Sequence, residues 1–283
     1  MKKLNLGCGY CIHPDWVNVD FVKTHEKVIA YNLLNGIPSK NCEFDVVYHS
    51  HLLEHFSKTD GIRFINECFR VLKPSGIIRI TVPDLESIVL NYLKNLDGAL
   101  KGDQLSVYNY EWIMLEMYDQ TVRNSSGGDM LKYLYRDLIP NKEFVLSRIG
   151  YEGEVLHNNY LKTKTSINST LPKTVLSSTK SIVNRLSGNL KHFFFNLIFR
   201  KEIANIKNEL EALKIGKFRL SGEVHQWMYD RFSLGKLLKD CGFRNIMVVS
   251  AFESLIQNWN DYQLDSVNGK IRKPDSLFIE AVK

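Results

Sequence analysis

The stretch Leu4-Asn5-Leu6-Gly7-Cys8-Gly9, followed by Asp20, decides the fold. Its first three residues form a short, largely apolar run that ends in a glycine turn, which is the pattern of a buried strand. Residues 16–19 form a second such run, and Asp20 closes it. Glycines allow a ligand to approach the backbone, and a carboxylate at the end of the neighbouring strand accepts hydrogen bonds from ribose hydroxyls. The stretch therefore predicts a sheet edge that holds an adenosine group.

Outward from this stretch, strand-like and helix-like segments alternate along the chain. Strands are predicted at residues 28–31, 44–48, 77–82, 246–250 and 277–282, and helices that face a sheet at residues 61–72 and 232–241. This alternation favours an α/β fold with a doubly wound parallel sheet, whose ligands bind outside the carboxyl ends of the strands. Only six residues separate Gly9 from Trp16, so we expect the first crossover helix to be nearly absent.

A long insertion is predicted to split the core. Residues 1–84 form the first part of the core, residues 85–222 form a helical and basic insertion that serves as a cap or acceptor region, and residues 223–283 complete the core with its last two strands. Within the insertion, helices are predicted at residues 88–96, 105–118 and 130–138. The apolar spacing of residues 182–213 predicts one or two further amphipathic helices.

The insertion also carries the positive charge. Residues 141–220 contain 14 Lys or Arg against 6 Asp or Glu, whereas the whole chain has a net charge of +6. Three interpretations stay open: a solvated appendage, packing against a second subunit, or peripheral membrane contact through residues 182–201, where aromatic residues have basic flanks. Nucleic-acid binding would need more charge and a recognisable module, and the sequence has neither.

Composition predicts a soluble, cytoplasmic protein. Hydrophobic residues make up 44% of the chain, which is enough for a sizeable core. No apolar run has the length of a signal-peptide core or a membrane span. The five cysteines are odd in number and unevenly spaced, which favours a reducing compartment. Cys8 and Cys11 form a C-x-x-C pair without a second pair, so we expect buried or turn cysteines rather than a redox or zinc site.

Taken in order, these motifs resemble the class I methyltransferases that use S-adenosylmethionine (SAM). The stretch from Leu4 to Gly9 matches their first motif, Asp20 their ribose acid, and Phe44-Asp45-Val46-Val47-Tyr48 their fourth strand. Residues 53–55 and 70–76 match the following helix entry and the turn into strand five, and residues 222–231 and 273–277 look like a bacterial branch associated with cell-surface polysaccharide (O-antigen or capsule) synthesis. The resemblance implies a Rossmann-like sheet with an antiparallel last strand, and SAM as cofactor.

The resemblance also implies the residues that contact SAM. Asn32 and Leu33 follow the third strand and are expected at the adenine, although Asn32 also fits a simple strand-ending turn. Ser50 and His51 follow the fourth strand and are expected near the sulfonium. The complete predicted set is Asn5, Gly7, Gly9, Asp20, Asn32, Leu33, Ser50 and His51. A nicotinamide cofactor is excluded because Ile12 stands where the dinucleotide fingerprint needs its third glycine.

A hydroxyl acceptor needs a general base, and proximity of acceptor and methyl group supplies most of the remaining acceleration. His225, beside Glu223, is the first choice, because it precedes the return of the chain to the core. His51 and Asp84 are second choices, because each follows a core strand at its carboxyl end.

These residues favour a SAM-dependent methyltransferase that methylates a sugar oxygen in a glycan precursor or nucleotide sugar, at the inner face of the membrane or free in the cytoplasm. Three alternatives stay open: another small-molecule acceptor, a non-catalytic SAM-binding partner of a glycan assembly enzyme, and a zinc peptidase. The last rests on the H-x-x-E-H pattern of residues 51–55, which requires a helix throughout. Because this pattern directly follows an apolar strand, we expect no metal ligands. The sequence leaves the acceptor and the oligomeric state open.

Overall fold

The computed structural model describes residues 1–170 and 200–283, with side chains placed for residues 1–164 and 204–283. Its strands are β1 (Lys3–Leu6), β2 (Val17–Asp20), β3 (Val28–Ala30), β4 (Phe44–Ser50), β5 (Leu72–Pro83), β6 (Arg244–Val249), β7 (Ser266–Val267), β8 (Lys270–Ile271) and β9 (Ser276–Val282). Its helices are α1 (Lys58–Val71), α2 (Leu85–Leu100), α3 (Gln104–Val122), α4 (Gly128–Leu134), α5 (Lys142–Thr170), α6 (Arg200–Arg219) and α7 (Arg231–Asp240).

Seven strands form the central sheet in the order β3-β2-β1-β4-β5-β9-β6. Strands β1 to β5 are parallel, and β9 runs antiparallel to both of its neighbours. This order confirms the predicted Rossmann-like, doubly wound sheet with its last strand antiparallel. The strand order reverses between β1 and β4, and in such sheets the crevice at the reversal is where ligands bind.

The connection from β4 to β5 follows the sequence signals closely. The Ser57 hydroxyl caps α1 by accepting a hydrogen bond from the Asp60 amide at 3.1 Å. The register of β4 on β5 then shifts, since Phe44 lies opposite Leu72 but Val46 lies opposite Ile77. Residues 73–76, which the sequence predicts as a turn, therefore form a bulge in β5 rather than a separate loop.

The two faces of the sheet are covered in different ways. Helices α1 and α7 and the 3₁₀ turn after β3 pack on one face. A right-handed crossover from β1 to β2 would cover the opposite face. Residues 7–16 contain no helix, as their short spacing predicts. Side chains of the segment after β6 lie on that face instead; together with residues of β4, they enclose Trp16 in a separate cluster of Val46, Tyr48, Ile256, Trp259 and Leu264.

A buried ion network holds this segment to the sheet. Arg79 of β5 is fully buried and donates to Asp265 and to Glu280, each at 2.7 Å. It also donates to backbone carbonyls at residues 250, 251 and 253. The Tyr48 hydroxyl donates to Asp265 at 2.7 Å. These bonds satisfy the buried charges and fix the loop that borders the sheet edge.

The insertion begins directly after β5 and has a small apolar core of its own. Residues from α2, α3, α4 and α5 form that core. Arg148 of α5 ties it together through a buried pair with Glu116 of α3 at 2.7 Å. Helix α5 kinks at Gly150, whose backbone is not helical. The predicted helix over residues 130–138 ends earlier, at Leu134, because the chain turns towards α5.

Much of the basic stretch lies outside the described residues. Of the amphipathic pattern predicted over residues 182–213, only the part from residue 200 onwards is described, and it lies in α6. The proposed membrane contact through residues 182–201 falls almost wholly outside them. Among the helices that are described, none combines the length and the apolar character needed to cross a membrane.

Candidate functional site

A cavity of about 380 Å³ opens at the carboxyl ends of β1 and β4, where the strand order reverses. Five of the predicted SAM-contacting residues line it, namely Asn5, Gly7, Gly9, Ser50 and His51. Its volume lies in the range of pockets that bind small molecules. We refer to it as the first cavity. The remaining lining residues are Cys8, Tyr10, Cys11, Tyr48, Thr81, Glu152, Leu264, Asp265, Arg272, Lys273 and Phe278.

Left-handed backbone at both glycines shapes the turn after β1. Gly7 has φ +63°, and a Cβ there would lie 2.8 Å from the Leu52 side chain. Gly9 has φ +52° and borders open space. The Asp20 carboxylate accepts the Gly9 amide at 2.8 Å and the Val22 amide at 3.1 Å. Asp20 does not line the cavity itself, but it is hydrogen-bonded to Gly9, which does.

Asn5 stabilises the same turn from below. Its side-chain amide donates to the Cys11 carbonyl at 2.9 Å and to Asn18 at 3.1 Å. Burial, together with the charge of Asp20, raises the pKa of the Cys8 thiol to about 12. A thiol that stays protonated is a poor nucleophile and metal ligand. Both cysteines of the C-x-x-C pair are free, in keeping with the turn cysteines predicted from the sequence.

The structure places the two predicted adenine contacts away from the first cavity. The Asn32 side chain accepts the Leu34 amide at 3.0 Å and so caps the 3₁₀ turn of residues 33–35. This is the strand-ending turn considered for Asn32 from the sequence. Leu33 packs into the core between the sheet and α1. Neither residue lines the cavity, though both follow the end of β3.

A second cavity of about 220 Å³ lies between the core and the insertion. His51, Glu152 and Lys273 line both cavities, so the two adjoin along these side chains. Lys273 lies 3.5 Å from Glu152. The second cavity is further lined by Trp112, Gln120, Arg123, Gly127, Met130, Leu131, Leu134, Ile149, Gly153, Leu156 and Asp275.

His51 is held from two sides at the junction of the cavities. Its Nε2 lies 2.8 Å from the Ser276 hydroxyl. Its Nδ1 lies 3.2 Å from Glu54, a carboxylate that is 1% exposed. The His51 backbone has φ +50°, which is unusual for a residue with a side chain. A carboxylate behind one nitrogen of an imidazole fixes the ring and its tautomer, leaving the other nitrogen to exchange a proton.

The other predicted catalytic residues do not line either cavity. His225 is buried and packs edge-on against His55, with ring centres 4.7 Å apart. Burial lowers the pKa of His225 to about 3. Glu223 is half-buried, and its carbonyl accepts a hydrogen bond from Arg123. Asp84 caps α2 by accepting the Glu86 amide at 3.0 Å, and burial raises its pKa.

The H-x-x-E-H pattern of residues 51–55 does not form a helix. His51 has left-handed backbone, and only Leu53–His55 form a short 3₁₀ turn. The two histidines therefore lack the one-turn spacing on an α-helix that the inverted zincin arrangement requires. The zinc-peptidase alternative fails on this geometry.

Sequence reasoning missed several residues at the two cavities. Glu54 belongs to the H-x-x-E-H pattern and to the helix-entry motif of residues 53–55, but the sequence assigns it no role, and it does not single out Glu152. Lys273 and Ser276 belong only to the C-terminal motif of residues 273–277. No local signal distinguishes Glu152, because it reaches the site through the kink of α5. For Lys273, the available signal was a basic residue followed by a proline just before the last strand, which places it at a strand end.

One family description and several solved structures match this chain. A family description of the methyltransferase domain matches residues 22–80. A SAM-dependent methyltransferase from Archaeoglobus fulgidus is 13% identical, with a TM-score of 0.38 and an alignment covering 100% of this chain and 86% of that one. A structure described as a possible histamine N-methyltransferase from Thermotoga maritima is 11% identical, with a TM-score of 0.38 and coverages of 100% and 82%. PKMT2 from Rickettsia typhi, solved with AdoHcy, is 11% identical, with a TM-score of 0.32 and coverages of 99% and 48%.

The domain match covers β3, β4, α1 and most of β5, and within this range Tyr48, Ser50 and His51 line the first cavity. No curated protein sequence matches the chain. At the identities and TM-scores of the solved structures, no acceptor or residue role transfers from them to this chain.

Proposed function

We infer that this chain, a SAM-dependent methyltransferase, methylates a hydroxyl group of a sugar in a glycan precursor or nucleotide sugar. The observation that carries the proposal is the meeting of two cavities at His51. The first cavity lies at the strand-order reversal, where this fold binds its cofactor. The second lies under the insertion and is open to an acceptor. The glycan part rests on the resemblance of residues 222–231 and 273–277 to a polysaccharide-associated branch.

The residues around the glycine turn suit SAM. Gly9 leaves open space where a side chain would stand, so a ligand can approach the backbone closely. Asp20 is fixed beside it by the Gly9 amide and would accept the ribose hydroxyls. Tyr10 lines the cavity with an exposed ring, a surface on which a flat base can stack. When bound, SAM supplies the electrophilic methyl group.

The lining of the second cavity suits a polyhydroxyl acceptor. Gln120, Arg123 and Asp275 offer hydrogen-bond donors and acceptors, and Trp112 and Met130 offer apolar surface. Sites of this mixed character orient a small ligand through a few polar contacts. The same lining would admit other small molecules with hydroxyl groups. The alternative of a different small-molecule acceptor is therefore tested as well.

His51 is the proposed base. With its Nδ1 hydrogen towards Glu54, its Nε2 accepts a hydrogen bond, and the Ser276 hydroxyl lies there at 2.8 Å. An acceptor hydroxyl that takes the place of Ser276 would give its proton to Nε2 as the oxygen attacks the methyl carbon. Because His51 lines both cavities, it serves an acceptor positioned next to the cofactor.

The test is methyl transfer from labelled SAM to a panel of nucleotide sugars and lipid-linked oligosaccharides. We expect His51→Gln to lower kcat about 10²- to 10⁴-fold with SAM affinity little changed. His25→Gln, on the exposed surface, is the matched control and should keep full turnover. Unchanged turnover in His51→Gln would exclude this base. SAM binding without transfer to any acceptor would favour the non-catalytic partner of a glycan assembly enzyme.

A further inference from the structure

Three metal-ligating side chains meet behind the first cavity. The carboxylate of Glu54 and the imidazoles of His55 and His225 bring their ligand atoms within 4.8 Å of one another. The returning chain creates this cluster: the amides of Gln226 and Trp227 donate to the Glu54 carbonyl at 2.7 and 3.2 Å. The Gln226 side chain also donates to the His55 carbonyl at 3.0 Å. Residues far apart in sequence are thus fixed together by backbone contacts.

Two polar atoms of the cluster lack a partner. The Glu54 Oε2 and the His55 Nδ1 are buried and have no hydrogen-bond partner among the described residues. Glu54 is 1% exposed. Its other oxygen, Oε1, lies 3.2 Å from the His51 Nδ1 and 3.9 Å from the His225 Nε2. A buried carboxylate oxygen without a donor is costly, so each such atom in a native fold calls for a missing partner.

The three side chains offer the ligand types of a transition-metal site. Glu54 supplies carboxylate oxygens, and His55 and His225 supply ring nitrogens. A carboxylate beside two imidazoles is a donor set that suits zinc and related transition metals.

We propose that Glu54, His55 and His225 bind one divalent transition metal ion of the zinc type, with a fourth coordination position left open. His225 Nε2 lies 3.9 Å from the Glu54 Oε1. Ligands at about 2.0 to 2.1 Å on a tetrahedral ion stand roughly 3.3 Å apart, so these two atoms must approach each other by about half an ångström. No two ligand atoms of the cluster are more than 4.8 Å apart. The sequence-based expectation of no metal weighs residues 51–55 and the Cys8 and Cys11 pair, and it does not foresee His225 beside Glu54 and His55.

A surface groove provides an entry path. His225 lines a shallow groove together with Thr121, Arg219, Gln226 and Trp227. An ion could therefore reach the cluster without passing through the first cavity. Bound there, the ion would fasten the returning segment to the turn after β4. It would also hold Glu54, and through Glu54 it would position His51. The site is thus a positioning device and does not depend on which acceptor is methylated.

Metal content of the full-length protein tests the proposal. Protein stripped with chelator and dialysed against ZnCl₂ should retain one zinc per chain by mass spectrometry. CoCl₂ titration should give the intense visible bands of a tetrahedral ion with nitrogen and oxygen ligands. Glu54→Gln and His225→Gln should bind zinc more than about 100-fold more weakly, a larger loss than changes at residues that only hydrogen-bond to metal ligands cause. His25→Gln is the matched control and should bind as the unchanged protein does.

Two results would overturn the proposal: zinc retention below one equivalent in the unchanged protein, or equal retention in His225→Gln. Calorimetry with S-adenosylhomocysteine, performed on the same samples, separates this outcome from a failure of the proposed function. A variant that still binds S-adenosylhomocysteine is folded, so its loss of zinc reports on the ligands. Zinc binding without methyl transfer would leave the metal site standing and reject only the acceptor proposal.

Discussion

At the scale of single residues, Asp20 connects the glycine turn to the end of β2 with one carboxylate. It accepts the Gly9 and Val22 amides, so its position is fixed before any ligand arrives. A carboxylate held in place loses little freedom when it takes up a ribose.

Asp20→Ala should therefore weaken SAM binding by about 1 to 3 kcal/mol, because the ribose hydroxyls lose a charged acceptor. Asp20→Asn keeps the shape and should lose less. Calorimetric titration with SAM measures both. Equal affinity in the unchanged protein and Asp20→Ala would refute the role of this carboxylate.

His49 is a second residue with a measurable consequence. It lies fully buried in β4 against Phe64, neither ring nitrogen has a partner, and burial lowers its pKa from 6.5 to about 3. Between pH 6.5 and pH 3 the imidazole of His49 binds a proton in the unfolded chain but not in the folded chain. The free energy of unfolding should therefore fall as pH drops from 6.5 towards 3, by up to about 1.4 kcal/mol per pH unit.

His49→Phe removes this contribution. Urea unfolding at pH 7 and pH 5 should show a smaller loss of stability in the variant, by about 2 kcal/mol. The exposed His25→Phe should lose as much stability as the unchanged protein. An identical pH dependence in His49→Phe would show that folding does not lower the pKa of this imidazole.

At the scale of elements, the kink of α5 decides the shape of both cavities. Gly150 has φ +57° and ψ −143°, a conformation open almost only to glycine. A Cβ there would lie 2.4 Å from Pro274 and 2.6 Å from the Ile271 carbonyl. The kink lets the Glu152 amide donate to the Arg272 carbonyl, which places Glu152 between the cavities.

Gly150→Ala should destabilise the fold by about 2 to 4 kcal/mol, because strain and a backbone clash add. Turnover should fall as well, since Glu152 and Lys273 move. Gly216→Ala, in α6 with no atom within 4 Å of the new Cβ, is the control and should be neutral or stabilising by up to about 1 kcal/mol. Thermal unfolding compares the two, and a stable, active Gly150→Ala would contradict this role of the kink.

The elements of the core could be predicted from sequence to within a few residues at most boundaries, because each carries a local signal. The run over residues 77–82 is mostly β-branched, and the spacing between Gly9 and Trp16 leaves no room for a helix. The sequence predicts a turn at residues 73–76, where the structure has a bulge, because proline, serine and glycine are common in both. The kink at Gly150 has no such signal, because glycine within a helical pattern is common.

At the scale of the whole molecule, Arg79 joins the middle of the sheet to the segment after β6. Removing it would leave Asp265 and Glu280 buried without their cation, so Arg79→Met should cost about 3 to 5 kcal/mol. Because Asp265 and Leu264 line the first cavity, SAM binding should weaken too. Arg63→Met, which breaks an exposed pair with Asp60, should change stability by less than about 1 kcal/mol. Urea unfolding and SAM calorimetry on both variants are decisive; equal stability would show that the network contributes little.

The site was harder to predict than the fold because it is assembled from distant parts of the chain. Asn5, Gly7, Gly9, Ser50 and His51 reach the first cavity because they end neighbouring strands, which sequence order reveals. The position of His225 depends on how the chain returns after the insertion. That return brings it to Glu54 and His55 rather than to the cavities, and no spacing in the sequence fixes it.

The long stretch of chain between β5 and β9 also affects how the protein folds during synthesis. During synthesis β5 is complete at Pro83, but its antiparallel neighbour arrives only with residues 276–282. Until then one edge of an apolar, β-branched strand has no partner, and such edges pair readily with other chains. Closing so long a loop delays the central pairing and slows folding. Newly made chains should therefore pass through an aggregation-prone stage that ends only when the last strand inserts between β5 and β6.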